Sequence, residues 1–336
     1  MEPLETPEEL EVGTVRHLTS EQAAELSSRI RSNVERALRG KPEVIRRAVE
    51  TLIARGHLLL EDVPGVGKTT LARALARSID ARFRRIQFTS DLLPGDVLGA
   101  AMPEMQDGAP TGGFAFQAGP IFANIVLADE INRASPKTQS ALLEAMAEAS
   151  VTIDGVSHPL PRPHFVIATQ NPLEHHGTHP LPESQLDRFL VRRGIGYPDA
   201  DHEAAVLRED PAATELPRLA PVVTLSDVLS MQHAAEEVKF EEALVSYLLA
   251  IVHETRAHEA LSLGVSPRGA VALRRAAQAR ALVEGRDFCI PDDIRDLAVD
   301  ALSHRITVDP RSRGAQSVEE TEWILRDVLE SVPVPL

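Results

Sequence analysis

One glycine-rich segment of the 336-residue chain carries residue types that bind phosphate groups. It reads Asp62, Val63, Pro64, Gly65, Val66, Gly67, Lys68, Thr69 and Thr70. Gly65 and Gly67 let backbone N–H groups approach an anion, and the N-terminus of the helical stretch that follows adds partial positive charge. Lys68 can reach the β and γ phosphates of a nucleotide, and Thr69 can hold Mg²⁺. The whole segment is therefore a candidate ATP-binding loop.

The first position of this loop departs from the general pattern of phosphate loops. That pattern is G-x-x-x-x-G-K-[ST], and Asp62 stands where it has its first glycine. The later fixed positions match, an apolar run precedes the loop, and a stretch with helical spacing follows it. For this segment taken alone, a glycine turn that happens to contain Lys-Thr is the alternative.

Two adjacent carboxylates supply the second half of the expected chemistry. The apolar run 124–128 ends in Asp129 and Glu130. This is the Walker B layout, in which Asp129 would hold Mg²⁺ and Glu130 would orient the attacking water. A strand that merely ends in two solvated acids is common, but this pair lies downstream of a phosphate loop in the same predicted sheet. ATP hydrolysis is therefore the expected reaction.

Three further polar residues are candidates for sensing the nucleotide. Asn171 follows the apolar run 164–169 and would lie beside the acid pair if the strands are neighbours, whereas Asn-Pro alone is most often a turn. Arg188 precedes another apolar run, where it would form a surface salt bridge or reach the ATP of a neighbouring subunit as an arginine finger. Arg268 opens a helix, as a capping residue or as a second sensor of the γ-phosphate.

A parallel sheet would bring these residues together. Short apolar runs alternate with helical stretches, at residues 57–61, 83–88, 124–129, 164–169 and 189–197. This alternation predicts a parallel sheet covered on both faces, with the ligand at the carboxyl ends of the strands. Two helices between residues 20 and 53, separated at Gly40 and Pro42, precede the sheet. The predicted fold class is α/β, a P-loop NTPase sheet sandwiched by helices.

The pattern changes after residue 198. The interval 199–223 is expected to be a connection, since prolines interrupt its second half. Helical spacing recurs at residues 224–235, 241–257, 267–284, 291–302 and 318–329, without a convincing strand. We therefore expect a nucleotide-binding domain over 20–198 and an all-helical lid domain over 224–336, in which Trp323 anchors the last helix. Residues 1–19 are expected to form a flexible acidic tail.

Composition excludes several classes of protein. The net charge of −15 disfavours non-specific binding to nucleic acid, which depends on basic side chains. No run of residues is long and apolar enough to predict a membrane span. The acidic start differs from a signal or transit peptide, and the single cysteine, Cys289, cannot form an internal disulfide. A cytoplasmic protein is the expectation.

The chain resembles the MoxR family of AAA+ ATPases in the segments EDVPGVGKTTLARALA, NIVLADEINRASPKTQSALLEAMAE, FVIATQNP, LPESQLDRF and GVSPRGAVALRRAAQARALVEGRDF. The departure at Asp62 is typical of that family. The resemblance implies an AAA+ core with an insert in its second helix, here within residues 91–117. It also implies a ring, commonly a hexamer, in which Arg188 would act in trans. Many members are thought to remodel proteins in a chaperone-like way, together with proteins that carry von Willebrand factor A domains.

Other interpretations stay open at this point. A further hairpin is expected at residues 151–160, and it or the insert could touch a substrate or simply pack. The histidine-rich segment 174–179 could bind a metal, although a solvated loop is the favoured interpretation. Alternative functions are a chelatase-like subunit for metal insertion, a DNA-directed AAA+ motor, and a nucleotide-binding module without turnover.

Overall fold

The computed structural model describes residues 14–106, 109–172, 177–309 and 318–335. Its helices are α1 (Ser20–Ala37), α2 (Pro42–Ile53), α3 (Lys68–Ser78), α4 (Pro94–Leu98), α5 (Pro136–Glu148), α6 (Glu183–Leu186), α7 (Ala200–Glu209), α8 (Pro211–Thr214), α9 (Leu225–Glu237), α10 (Glu242–Ala257), α11 (Pro267–Val283), α12 (Pro291–Leu302) and α13 (Val318–Ser331). Its strands are β1 (Leu58–Glu61), β2 (Phe83–Gln87), β3 (Gly99–Gln106), β4 (Ala109–Ala118), β5 (Ile125–Asp129), β6 (Ser150–Ile153), β7 (Val156–Pro159), β8 (Phe165–Gln170), β9 (Val191–Arg193), β10 (Leu261–Leu263) and β11 (Thr307–Val308). Short 3-10 turns lie at Ile131–Arg133, Leu216–Arg218 and Ser303–Arg305.

Five parallel strands form the central sheet, in the order β2-β5-β8-β1-β9. Each predicted apolar run overlaps one of them, so the predicted α/β fold class is confirmed. Gln87 of β2 lies opposite Asp129 of β5, and Glu61 of β1 lies opposite Gln170 of β8. The segments that follow β1, β5 and β8 therefore leave the sheet side by side at one edge, where α/β folds bind ligands.

The middle strands divide their side chains between two hydrophobic cores, one on each face of the sheet. In β5, Ile125 and Leu127 enter the core that also contains α1, α2, α3 and the C-terminal helices. Val126 and Ala128 enter the core that α5 closes. The C-terminal helices thus share a continuous core with one face of the sheet, which fixes their position relative to the nucleotide-binding part.

Two antiparallel hairpins stand outside the central sheet. The first, β3–β4, follows α4 in the interval expected for the insert and ends one residue beyond it. The second, β6–β7, is the hairpin expected at residues 151–160, with left-handed backbone at its turn residues Asp154 and Gly155. Phe116 of β4 stacks on His158 of β7 with ring centroids 3.9 Å apart. The two hairpins therefore pack against each other.

The C-terminal lid contains the five helices α9 to α13 close to their predicted limits. It also contains a small antiparallel pair, β10 with β11, which the sequence analysis missed. Each of these strands has only two or three residues, too few to show a periodicity, and they lie far apart in the chain. Trp323 is 53% exposed, so the expectation that it anchors the last helix is wrong. The buried residues of α13 are Thr321, Ile324, Leu325, Val328 and Leu329.

Two other expectations about the chain's organisation need revision. The interval 199–223 holds α7 and α8 and is thus more than a plain connection. Leu18 is buried, and Arg16 Nη2 lies 2.6 Å from Asp227 Oδ1 of α9. The expected flexible tail is therefore wrong for residues 14–19, whereas residues 1–13 lie outside the described ranges.

Partly buried ion pairs join the lid to the nucleotide-binding part. Asp300 of α12 accepts hydrogen bonds from Arg47 of α2 at 2.9 Å and from Arg193 of β9 at 2.6 Å. Glu50 accepts a second bond from Arg47 at 2.8 Å. Removing one member of such a cluster would leave an uncompensated buried charge, so the cluster fixes how the two parts dock. Within the described ranges, no helix combines the length and apolar character that a membrane crossing requires.

Candidate functional site

The phosphate loop links the end of β1 to the start of α3. Gly65 and Gly67 have φ angles of 86° and 102°, in the left-handed region that glycine adopts without strain. Gly67 is the N-cap of α3 and has no side chain to satisfy the first N–H groups of the helix. A Cβ atom at Gly67 would also lie 2.6 Å from Leu38 Cδ1. The loop can therefore present helix N–H groups to an anion, as expected from its sequence.

Asp62, which departs from the general pattern, accepts hydrogen bonds from the backbone of two neighbouring segments. Its Oδ2 accepts hydrogen bonds from the backbone N–H groups of Ile195 at 2.8 Å and Gly196 at 2.5 Å, just after β9. Its Oδ1 accepts from the N–H of Val63 at 2.8 Å. The carboxylate thus ties the entry of the phosphate loop to the neighbouring edge strand. Asp62 is one of the ATP contacts predicted from the sequence, but it lies beside the loop's cavity and does not line it.

Replacing Asp62 with glycine, which restores the general pattern, is expected to destabilise the protein. The N–H groups of Ile195 and Gly196 would lose a charged acceptor, at a cost of about 1–3 kcal/mol in the free energy of unfolding. Chemical denaturation of the variant and the wild type measures this difference. Asp62→Asn keeps one acceptor oxygen and should lose less, and a glycine variant as stable as the wild type would contradict the assigned role.

Asp129 is buried at the end of β5 and oriented by protein donors on both oxygens. Thr169 Oγ1 of β8 donates to its Oδ1 at 2.6 Å. Arg85 of β2 donates to its Oδ2 through Nε at 3.0 Å and Nη2 at 2.6 Å. Because β5 lies between β2 and β8, the sheet order itself brings these three side chains together. The arrangement fixes one carboxylate at the ligand-binding edge.

Glu130 follows in a left-handed conformation, with φ at 58°. This conformation is uncommon for a residue with a side chain, and its N–H donates to Thr169 Oγ1 at 2.8 Å. Gln87 Nε2 donates to Glu130 Oε2 at 2.9 Å, and Arg133 Nε lies 3.1 Å from the same oxygen. The second carboxylate is therefore turned away from the strand direction and held by two side chains.

These elements surround one cavity of about 330 Å³ at the carboxyl edge of the sheet. It is lined by Pro64, Gly65, Gly67, Lys68, Thr69, Thr70, Arg85, Asp129, Glu130 and Asn171. The structure thus brings together most of the loop, the acid pair and the candidate sensor Asn171. Val63 and Val66 do not line the cavity and pack against the hydrophobic core instead.

Lys68 is one of two cations that line this cavity, the other being Arg85, which pairs with Asp129. Burial lowers the pKa of the lysine ammonium group, and the carboxylates of Asp62, Asp129 and Glu130 oppose that shift. Its Nζ donates to the backbone oxygen of Asp62 at 2.6 Å. A positive charge is therefore held close to the two acids, where an anionic ligand would bring additional negative charge.

The oxygen atoms of Thr69 and Asp129 suit Mg²⁺, which prefers oxygen ligands and keeps several of its sites for water or phosphate. Among the described residues, no group of three or more His, Cys, Asp or Glu side chains could hold a metal alone. Donors from the loop and from β5, completed by phosphate oxygens, fit the ion better than a dedicated protein cage. Residues 174–176 of the histidine-rich segment 174–179 lie outside the described residues, so the interpretation of this segment stays a prediction.

Three side chains of this site were not predicted from the sequence: Arg85, Gln87 and Thr169. Arg85 and Gln87 lie on one face of β2, two residues apart. The run FRRIQF does show polar residues inside a predicted strand, which was a usable signal. Thr169 carried none, since threonine is common in strands. Their pairing with the acids depends on the strand order, which the sequence did not reveal.

Arg188 and Arg268 lie elsewhere. Together with Asp187, Arg275 and Arg305 they line a second cavity, which shares no lining residue with the first. Residues 54–57, which line this second cavity, come just before β1, whereas the phosphate loop follows β1. The two cavities therefore lie toward opposite ends of the strand, and Arg268 is beside Arg188 rather than beside the chain's own phosphate loop.

The environment of Arg268 argues against a capping role. Ser266 is the N-cap of α11 and accepts a hydrogen bond from the N–H of Gly269 at 3.0 Å. Arg268 is 57% exposed in its side chain, in the first turn of the helix. A cation is unfavourable at a helix N-terminus because of the helix dipole. Its position is therefore better explained by an anionic partner than by helix stability, and within the chain Asp187 Oδ2 lies 3.6 Å from its Nε.

Comparisons with known proteins agree with this architecture. Residues 57–191 match the family described as "ATPase family associated with various cellular activities (AAA)", and residues 253–325 match the "AAA lid domain". The uncharacterised protein YeaC of Bacillus subtilis is 48% identical over 306 residues, which cover 90% of this chain and 93% of the relative. Chaperone MoxR1 of Mycobacterium tuberculosis is 38% identical over 311 residues, with 90% and 80% covered.

A solved structure shows the same likeness. The crystal structure of a candidate ATPase from Cytophaga hutchinsonii is similar with a TM-score of 0.85 and 35% identity. The alignment covers 94% of this chain and 97% of that one, so the lid is included in the similarity as well as the sheet.

Proposed function

The chain belongs to the MoxR family of AAA+ ATPases, and from that premise we propose that it hydrolyses ATP with Mg²⁺ and uses the energy, as a ring, to remodel a protein partner. One observation carries the ATPase part of the proposal. A single cavity collects the phosphate loop, the acid pair Asp129 and Glu130, and Asn171 at the carboxyl edge of a parallel sheet. That combination supplies phosphate binding, metal ligands and water orientation in one place.

The roles follow from the positions of the residues. The N–H groups of the phosphate loop and Lys68 bind the β and γ phosphates. Thr69 and Asp129 would hold Mg²⁺, which would neutralise phosphate charge. Glu130, held by Gln87 and Arg133, orients and polarises the attacking water. Asn171 hydrogen-bonds that water or the γ-phosphate.

The ring supplies the remaining charges. Arg188 and Arg268 lie toward the other end of the sheet from the phosphate loop, so within one chain they are poorly placed to reach the bound nucleotide. A head-to-tail contact would place the surface that carries Arg188 and Arg268 against the phosphate cavity of the next subunit. Repetition of such a contact closes a ring. We infer that both arginines act in trans, which the family resemblance implies for Arg188, and that the ring has six members, the number common in the family.

The remodelling of a protein partner is supported by the name of one relative and by two exposed apolar side chains. One relative is named a chaperone. Phe114 and Val156, on the two hairpins outside the sheet, are 70% and 57% exposed, which is compatible with contact to another protein. A protein with a von Willebrand factor A domain is the partner that the family resemblance favours. The net charge of −15 disfavours a DNA-directed motor, and no observation specifically favours a chelatase-like subunit.

Lys68→Ala tests the proposal at its first step. Loss of a charged donor to phosphate costs about 1.5–3 kcal/mol, which corresponds to roughly tenfold to hundredfold weaker nucleotide binding. Titration with a fluorescent ATP analogue measures the affinity. Lys239→Ala, which removes an exposed lysine of the lid, is the matched control and should bind like the wild type. Unchanged affinity in the Lys68 variant would contradict the proposed phosphate loop.

The turnover assay on the same proteins separates the alternative functions. Wild-type protein should lose turnover when Mg²⁺ is chelated and regain it when Mg²⁺ is restored. Added single-stranded or duplex DNA should leave turnover unchanged, whereas a von Willebrand factor A-domain protein should change it. Stimulation by DNA alone would favour the DNA-directed motor instead.

A further inference from the structure

A buried arginine of the lid forms hydrogen bonds with the residues on both sides of Arg188. Arg305 lies in the 3-10 turn that follows α12. Its guanidinium donates to Asp187 Oδ1 at 2.6 Å, to the backbone oxygens of Asp187 at 3.1 Å, Phe189 at 2.7 Å and Leu190 at 3.3 Å, and to that of Ala301. Its neighbour His304 donates from Nε2 to the backbone oxygen of Phe189 at 2.9 Å. The residues that flank Arg188 are thus fixed by side chains from another part of the fold.

The carboxylate of Asp187 links Arg305 to Arg268, the second arginine proposed to act in trans. Its Oδ1 pairs with the buried Arg305, and its Oδ2 lies 3.6 Å from Nε of the exposed Arg268. Burial lowers the pKa of Arg305, and the Asp187 carboxylate opposes this shift. A buried guanidinium needs such a partner, since an uncompensated buried charge is strongly destabilising.

Arg188 itself has few restraints on its side chain. Its Nη1 donates to the backbone oxygen of Leu143 at 2.8 Å, and its Nε is buried with no hydrogen-bond partner among the described residues. In the part of the chain that the structure describes, no carboxylate forms an ion pair with it. The direction of Arg188 therefore depends on the backbone of residues 187–190, which is the segment that Arg305 holds.

We propose that Asp187 and Arg305 are positioning residues, which set the placement of Arg188 and Arg268 toward the neighbouring subunit's nucleotide and make that placement depend on the docking of the lid. The proposal rests on the proposed trans action of the two arginines. Its physical basis is that a misplacement of about 1 Å at a reacting centre can reduce the rate roughly a hundredfold. The lid of one subunit would thereby control hydrolysis in the next subunit.

Mixing of variant subunits tests this role, because it assigns each residue to the nucleotide-binding side or to the arginine side of an interface. Asp187→Asn should lower turnover on the order of tenfold or more while nucleotide affinity stays near that of the wild type. Mixed with Glu130→Gln subunits, it should regain turnover, since each partner supplies what the other lacks. Mixed with Arg188→Ala subunits, it should regain none. The opposite pattern, or turnover equal to the wild type, would overturn the proposal.

Two controls keep the outcome interpretable. Asp287→Asn makes the same change at an exposed carboxylate of the lid, which pairs with Lys239 and lines neither cavity, and it should not reproduce the loss. If it does, the loss of any lid carboxylate explains the effect and the positioning role is wrong. Arg305→Lys weakens the same contacts from the lid side. It should regain turnover when mixed with Glu130→Gln subunits and none when mixed with Arg188→Ala subunits. Should that variant fail to fold in a thermal melt, Asp187→Asn decides alone. Failure of Arg188→Ala to complement Glu130→Gln would instead overturn the trans arrangement itself, and this inference with it.

Discussion

Glu130→Gln is expected to bind ATP as tightly as the wild type and to hydrolyse it at least about a hundredfold more slowly, because a positioned general base contributes roughly 10²–10⁴-fold to a rate. The substitution keeps the shape of the side chain and an oxygen that can accept from Gln87. It leaves the phosphate loop untouched, so binding should persist. What it removes is the negative charge that polarises the attacking water.

Steady-state release of phosphate measures the rate, and titration with a labelled nucleotide measures the affinity. Glu144→Gln is the matched control, since it makes the same change at an exposed position of α5 away from the cavity. It should retain full turnover. A Glu130 variant with wild-type turnover would remove Glu130 from the mechanism, whereas a variant with weakened binding would place it among the residues that bind ATP.

The sequence predicted those parts of the site whose chemistry is local. The phosphate loop needs only a strand, two glycines, a lysine and a helix in order, and all of these are contiguous between residues 57 and 78. The acid pair needs only to end a buried strand, which the apolar run before Asp129 indicated. Buried strands and amphipathic helices were predictable for the same reason, since their signals repeat within a few residues.

Contacts between distant segments were not predictable in this way. The pairing of Arg85 with Asp129 needs β2 beside β5, and the pairing of Asp62 with the N–H groups of Ile195 and Gly196 needs β9 beside β1. Nothing in a single run of residues encodes strand order. The separation of Arg268 from the chain's own phosphate loop depends on how the whole lid docks, which buried pairs such as that of Arg47 with Asp300 determine.

Arg188→Ala is expected to reduce turnover by at least about 10³-fold, the range that an arginine finger supplies in phosphoryl transfer. Nucleotide binding should change little, because Arg188 does not line the phosphate cavity of its own chain. The same steady-state assay and nucleotide titration check both expectations. Equal losses of affinity and rate would contradict a role that begins only after ATP has bound.

The decisive result is the behaviour of mixed rings. An interface is active only where an Arg188→Ala subunit supplies Glu130 and a Glu130→Gln subunit supplies Arg188. With random head-to-tail assembly at equal amounts, about one interface in four meets this condition, so turnover should rise to roughly a quarter of the wild-type value. It should fall when either variant is in excess, because fewer interfaces then join the two kinds of subunit. Lys68→Ala mixed with Glu130→Gln should restore nothing, since both lesions affect the nucleotide-binding side. If no ratio of Arg188→Ala to Glu130→Gln restores turnover, both residues serve one site within one chain. Because Arg188 lies away from the phosphate loop, that result would require a large movement of the segment that Arg305 holds.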